Sequence, residues 1–270
     1  MKLNNLNFHL TFPPDVKLLS RLMTSEVFEV PLTKEEISQR TGIPTGKSSG
    51  KVEPHIKYAE YMGLLYDSVA NGKHVLKKTV LGDCISLEDP SLSEDVSVMV
   101  CYLRMTGFLD GAPLWETIMG EILPRNRFQM TETGLRNYLA KETDIVVNLS
   151  PFYSSFDSAL FSQLKILEHT KESLRVLKQR YDPELLYVYA YAFFREWEHR
   201  YPERDELTAD ELSSFLMPGT LGWQGQDFYS VMESMEEKNL IVFNRQLVPY
   251  TVTKCEKSEA MIARLYSELC

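Results

Sequence analysis

Apolar positions recur at helical spacing through most of this chain, and short alternating runs break the pattern at a few places. Phe8-His9-Leu10-Thr11-Phe12 alternates and predicts a short strand or an extended arm. Pro13-Pro14-Asp15 opens a helix through Met23, with Val16, Leu19, Leu22 and Met23 on one stripe. Thr33 to Arg40 is a second helix, with Thr33 as N-cap and Glu36 as its capping-box partner. After a turn at Thr41-Gly42-Ile43-Pro44, a third helix runs from Ser48 or Ser49 to Met62 and stops at Gly63. Leu64-Leu65-Tyr66 starts a strand, Asn71-Gly72 is a hairpin turn, and His74 to Val80 returns. Ile37, Ile43, Val52, Ile56, Ala59 and Leu64 form the expected core of this unit. The order of elements predicts a winged helix–turn–helix over residues 1–88.

Residues 89–150 read as a helical linker region. It has helices over Leu92–Thr106, Pro113–Leu123 and Thr131–Ala140, and a basic loop at Pro124-Arg125-Asn126-Arg127. A Ser-rich loop, Asn148 to Phe156, marks the expected boundary between halves. Residues 151–270 form a helical C-terminal domain. Phe161, Leu164, Leu167, Leu174 and Leu177 predict one or two helices, and Asp182-Pro183 opens another whose stretch Tyr187–Trp197 is apolar on several faces and therefore core. Thr208 and Glu211 repeat the capping box, Gln226–Lys238 is a helix, Leu240–Phe243 and Val248–Thr253 form a hairpin, and Ser258–Leu269 is the last helix. This second winged-helix-like unit completes a mainly α fold with small β wings.

The chain has 270 residues, 44% hydrophobic and 25% charged, an ordinary composition for a globular protein able to build its core without metal or disulfide. No apolar run is long enough for a membrane span, and no signal peptide is visible. Cys84, Cys101, Cys255 and Cys270 are scattered, as reduced thiols in a cytoplasm would be.

Charge divides the chain. Residues 1–85 hold 11 Lys/Arg and 9 Asp/Glu, whereas the rest holds 18 and 29, so a balance of +2 faces one of −11 within a net charge of −9. The basic residues collect where duplex DNA would be met: Arg40, Lys47, Lys51 and Lys57 at the helix–turn–helix, Lys73, Lys77 and Lys78 on the wing. Phosphate contact needs such clustering, because each neutralised phosphate releases condensed counterions. Ser48, Lys51 and His55 complete the candidate reading helix, with Lys51 and His55 one turn apart and placed for base edges. The corresponding helix of the C-terminal unit carries Asp227, Glu233, Glu236 and Glu237 against Lys238, a surface that repels phosphate and suits a structural or partner-binding role.

Other chemistry is thinly represented. Gly42-Ile43-Pro44-Thr45-Gly46-Lys47-Ser48 is one residue short of a phosphate-loop spacing and follows a helix instead of a strand. His9, His55, His74, His169 and His199 include no pair at i, i+4 and none beside a cysteine at ligand spacing, so neither a metal site nor a cofactor site is read. Asp89, Glu94 and Asp95 are loose candidates for a two-metal nuclease site, and no nucleophile elbow is present.

Several of these segments also carry a resemblance. Gly42-Ile43-Pro44-Thr45-Gly46-Lys47, Ile56-Lys57-Tyr58 and Met62-Gly63-Leu64-Leu65 are similar to the Gly-Val-Gly-Lys…Ile-Arg-Tyr-Trp…Leu-Gly-Leu pattern of the bacterial domain-of-unknown-function family 4007. Phe8-His9-Leu10-Thr11-Phe12 resembles that family's His-Glu-Thr-Phe opening, with Leu10 in place of Glu. Leu81-Gly82-Asp83, Asp89-Pro90 and Leu92 fit its Leu-Gly…Asp-Pro-x-Leu signature. Members of the family are encoded with DNA phosphorothioation and related phage-defence genes, and one branch is the nicking component of a single-strand phosphorothioation system. The resemblance implies a DNA-directed role beside a sulfur-transfer enzyme and an ATPase, and it places no catalytic residue here. The expectation is a cytoplasmic DNA-binding component of such a system, acting with duplex DNA and with its other proteins. The alternatives are a winged-helix adaptor without DNA affinity and a metal-dependent DNA nickase.

Overall fold

Three small antiparallel sheets punctuate a mainly helical chain in the computed structural model, which describes residues 5–46, 50–108, 110–246 and 248–269. The first sheet belongs to α1 (Val16–Thr24), β1 (Pro31–Leu32), α2 (Lys34–Thr41), α3 (Val52–Tyr61), β2 (Leu65–Ala70) and β3 (Lys73–Lys78). Asp15 caps α1, and Thr33 and Glu36 close a capping box on α2. Gly42 and Gly63 take left-handed φ angles of 69° and 72° where α2 and α3 end. Asn71 and Gly72, at φ 53° and 72°, turn the hairpin. The expected core positions Ile37, Ile43, Val52, Ile56, Ala59 and Leu64 are all buried.

After α4 (Val80–Glu88) and α5 (Asp95–Met105) comes a helical stretch made of α6 (Pro113–Trp115), a π-helical segment (Glu116–Ile122) and α7 (Leu123–Arg125). The second sheet follows, with β4 (Gln129–Thr131), α8 (Glu132–Glu142), α9 (Ser150–Asp157), a 3-10 turn (Leu160–Leu164), β5 (Leu167–His169) and β6 (Ser173–Val176). A 3-10 turn (Pro183–Leu185) leads into the central α10 (Leu186–Arg200). The third sheet is built from β7 (Glu206–Thr208), α11 (Ala209–Leu212), α12 (Met217–Thr220), α13 (Gly225–Glu237), β8 (Ile241–Asn244) and β9 (Thr251–Lys254), and α14 (Ser258–Ile262) closes the chain.

The three sheets share one plan. Each lays its first strand beside its third and its third beside its second. Each first strand ends on or just before a threonine that caps the next helix: Thr33, Thr131 and Thr208. Before each hairpin stands a residue at positive φ, Gly63, Lys165 or Asn239. A fully buried Leu64, Ile166 or Leu240 follows it, and the next residue begins a strand.

The second copy corrects two expectations. Leu167 and Leu174 lie on strands and not on helices, because Lys165 leaves the helical region and Leu174 pairs with His169 across a hairpin. The segment expected as a boundary loop contains α9, and a division at 150/151 would cut a sheet in which β4 pairs with β6. One contiguous apolar core runs from Leu6 to Leu265 across every expected division.

The opening segment is neither strand nor arm. Residues 6–11 wind through successive turns, closed by hydrogen bonds such as Leu10 N to Asn7 O (2.9 Å) and Phe12 N to His9 O (2.9 Å), and bury Leu6, Phe8 and His9. Asn7 and Leu10 hold Asn148 from the other side: Asn148 N donates to Asn7 Oδ1 and Asn148 Nδ2 to Leu10 O, both at 2.9 Å.

Candidate nucleic-acid interface

The sheet of the first unit has an inner and an outer face, set by the strand period of two. Leu65, Leu76 and Lys78 turn inward, and Lys78 Nζ lies 4.9 Å from the centre of the Phe28 ring. The outer face carries the cross-strand pairs Tyr66↔Lys77, Ser68↔Val75 and Ala70↔Lys73, with Pro31 opposite Val75 on the edge. Tyr66 is 66% exposed, and Lys73 and Lys77 are exposed. Among the described residues, Lys73 and Lys77 make no ion pair. Arg40, exposed at the end of α2, donates through Nη1 to the Glu26 carbonyl at 2.8 Å. Glu36 lies in the field of both Lys73 and Arg40, which places those cations around one corner of the unit. Its carboxyl is held below the usual range, first by the Thr33 N–H it accepts.

The candidate reading helix is a different matter. α3 begins at Val52, later than expected, and buries Val52, Pro54, His55, Ile56, Tyr58 and Ala59. Its second face is covered by the opening segment: Phe8 meets Tyr58 and Tyr61 edge-on or tilted, and Tyr58 Oη donates to Phe12 O at 2.9 Å. His55 is therefore unavailable to base edges. Its Nε2 accepts from Asp15 N (3.2 Å) and its Nδ1 faces Lys51 O at 2.7 Å, so the ring joins the start of α3 to the N-cap residue of α1. Lys51 is half-buried, with Nζ 5.6 Å from the Phe12 ring centre, and Lys57 is paired with Glu60. Lys47 and Ser48 lie outside the described residues. The signal for this cover was present in α3 itself, whose apolar residues occupy two stripes, Val52-Ile56-Ala59 and Pro54-Tyr58.

The histidines give a direct check. Burial lowers the affinity of His55 for a proton, and also that of His9, against the carbonyls that would favour the charged ring. His74 goes the other way, raised by its hydrogen bond to Asp67 at 2.8 Å. A lowered folded-state value means that the unfolded chain binds the proton first. His9 and His55 therefore cost stability as pH falls below 6.5, at up to about 1.4 kcal/mol per pH unit each, whereas the contribution of His74 is lost as pH rises. In a long-range 15N–1H titration, His55 is expected to take up its second ring proton below the ordinary histidine range, with its neutral ring carrying the hydrogen on Nδ1, and His74 above that range. A His55 that titrates at its ordinary value would show that its ring is not held as described.

The loose carboxylate candidates are also placed. Asp89 is buried and accepts from Ser91 Oγ, Ser93 N, Glu94 N and Ser97 Oγ, the last at 2.6 Å, so both its oxygens organise the start of α5. Asp95 accepts from Gln163 Nε2 at 2.8 Å. Among the described residues, no group of three or more His, Cys, Asp or Glu converges where a metal ion could be held. Among them, too, no helix is long and apolar enough to cross a membrane.

Sequence reasoning missed a cleft of about 620 Å³ between this unit and helices α5, α10 and α14. Lys57 and Tyr66 stand on one side, Lys257 on another, and Arg104, Asp110 and Arg195 line it as well.

No family model and no curated protein matches the chain. Two solved structures do. A magnesium ion-bound SspB crystal structure superposes with a TM-score of 0.74 at 13% identity, covering 97% of this chain and 88% of that one. A second SspB crystal structure gives the same TM-score and coverage at 14% identity. At such identities the likeness is one of fold, and over nearly its whole length this chain shares its fold with SspB.

Proposed function

We propose that this chain is a DNA-binding component of a phosphorothioation-type modification or phage-defence system, built from winged-helix units and contacting duplex DNA with the outer face of its first wing. The observation that carries the reading is the Tyr66–Lys77 and Ala70–Lys73 face of that hairpin, which is exposed and basic and whose two lysines form no ion pair among the described residues. The order of α1 to β3, a helix, a short strand, two helices and a hairpin, supports the winged-helix reading, and the resemblance to the family 4007 pattern points to the same setting. The likeness of fold to SspB is compatible with it. In this reading the wing and Arg40 supply phosphate contacts, and α3 serves to support them because His55 is buried and the face that bears Tyr58 is covered by the opening segment. A chain with a net charge of −9 needs such a local face to approach a polyanion.

The test is fluorescence anisotropy with a short labelled duplex, titrated across salt. Binding is expected to weaken log-linearly with salt, by about 0.9 in slope per phosphate neutralised. The double variant Lys73→Glu/Lys77→Glu is expected to lose roughly tenfold or more in affinity and about two units of slope. Wild-type protein that binds no duplex at low salt, or a variant with full affinity, refutes the reading and leaves the adaptor alternative.

A further inference from the structure

Two arginines from different helices meet at the floor of the cleft. Arg104 of α5 and Arg195 of α10 both donate to Asp110 Oδ2, Arg104 Nη1 at 2.7 Å, and His199 Nε2 lies 3.7 Å from the same oxygen. Burial pushes the Asp110 carboxyl up, but the two guanidinium groups outweigh it and hold the group below its usual range. The floor thus has two fixed positive charges against one negative charge. Each guanidinium has five N–H donors; both spend one on this shared oxygen, and Arg195 also hydrogen-bonds the Tyr191 hydroxyl. Arg104 is only 11% exposed on its side chain, and its Nε is buried with no partner. Its guanidinium lies against Gly63, where a Cβ would come within 2.3 Å of Nε.

The cleft is lined by four cations, Lys57, Arg104, Arg195 and Lys257, and by four carboxylates, Glu60, Asp110, Glu198 and the exposed Glu259, of which two are engaged elsewhere. Glu60 accepts from Lys57 and from Asp67 N, and Glu198 accepts from Lys254 and from Ser258 N and Oγ. Lys257 at the rim is exposed. Two guanidinium forks with unused donors at the floor of an open cleft match the oxygens of a phosphate group, which takes parallel N–H bonds from arginine. The cleft volume is that of a site for a small organic ligand, with room for a sugar and base beside the phosphate. Tyr66 lies on its wall and on the outer face of the wing, so a strand held by the wing has a path into the cleft.

We infer that the Arg104–Arg195 floor of this cleft binds the phosphate group of a nucleotide, free or within a nucleic-acid strand. The inference goes beyond the proposed wing contact, since neither arginine belongs to the wing.

Calorimetry on the full chain tests it, with pyrophosphate, 5′-dTMP, thymidine and a thymidine octanucleotide as probes. Pyrophosphate and dTMP are expected to bind saturably and thymidine not to bind. Arg195→Gln is expected to weaken dTMP by about tenfold or more, and Arg195→Lys by less, because charge is kept and the fork is lost. Arg195 is the better probe because it is more exposed than Arg104, and circular dichroism of each variant establishes that it is folded. Tighter, Arg195-dependent binding of the octanucleotide assigns the phosphate to a strand; binding of dTMP alone assigns it to a free nucleotide. The wing variant separates the two readings. Binding of dTMP that survives Lys73→Glu/Lys77→Glu belongs to the cleft. Binding lost in the wing variant and kept in Arg195→Gln overturns the assignment, as does wild-type protein that takes up none of the phosphate probes.

Discussion

Gly82→Ala is expected to destabilise the protein by about 3 kcal/mol or more, at the upper end of what overpacking costs. A Cβ at Gly82 would come within 1.9 Å of the Leu64 carbonyl oxygen and 2.8 Å of its carbon, distances that no rotamer can relieve because the neighbour is backbone. Leu64 cannot give way. It is fully buried, and its carbonyl accepts from Thr79 N at 3.1 Å where the hairpin returns to the helices. Nor can α4 move away easily. Its N-cap Thr79 binds Gly82 N (2.9 Å) and donates to Gly63 O (2.6 Å), and Leu81 and Ile85 are buried on either side. The absence of a side chain at Gly82 thus lets α4 lie directly on the base of the β2–β3 hairpin. Urea unfolding measures the loss. Gly72→Ala is the control, because its site has open space and only the left-handed φ of 72° to pay for, at about 1–2 kcal/mol. Equal small losses at both positions would show that α4 and the hairpin are not in this contact.

What could be read in the chain was local, and what could not was distant or atypical. Thr33 with Glu36, Thr208 with Glu211, Gly63 and Asn71-Gly72 are signals carried by neighbours in sequence, and the outer two sheets follow from them. The middle sheet repeats the plan with weaker letters. Thr131 caps a helix with Gly134 in place of a glutamate, Lys165 takes the left-handed position usually given to glycine, and strands of three and four residues are too short to show alternation. Leu164, Leu167 and Leu174 then imitate helical spacing. At the candidate interface the sequence grouped Lys73, Lys77 and Lys78 by charge alone, whereas the strand period puts Lys73 and Lys77 on the outer face and turns Lys78 inward to Phe28. The fate of α3 was not legible, because the segment that covers it lies some forty residues upstream in sequence, as the bond from Asp15 to His55 illustrates. The cleft had no local signature, since Arg195 and Asp110 are 85 residues apart.

The cover over α3 leads to the second large effect. Trp115→Ala is expected to cost about 4 kcal/mol, within the range for emptying a buried indole site and a large part of the 5–15 kcal/mol that holds a typical domain. Trp115 is fully buried and is where four elements meet. Its ring lies 5.8 Å from Phe8 and 5.7 Å from His9 of the opening segment, 5.9 Å from Tyr58 of α3 and 5.5 Å from Phe152 of α9. Its Nε1 donates to Ser155 Oγ at 3.2 Å. Removing the ring therefore leaves a cavity at the junction between the first unit and the second, and leaves Phe8 without the wall it packs on. The loss should not be spread evenly. Residues 6–12 are held by turns and by a few buried side chains, so in hydrogen exchange this segment is expected to lose protection first, followed by the face of α3 that bears Tyr58. Trp115→Phe should retain most of the packing while losing the bond to Ser155. Hydrogen exchange read by mass spectrometry on the two variants decides the matter. Protection of residues 6–12 that persists in Trp115→Ala would mean that the opening segment is held by its bonds to Asn148, and that the aromatic cluster is not what keeps α3 covered.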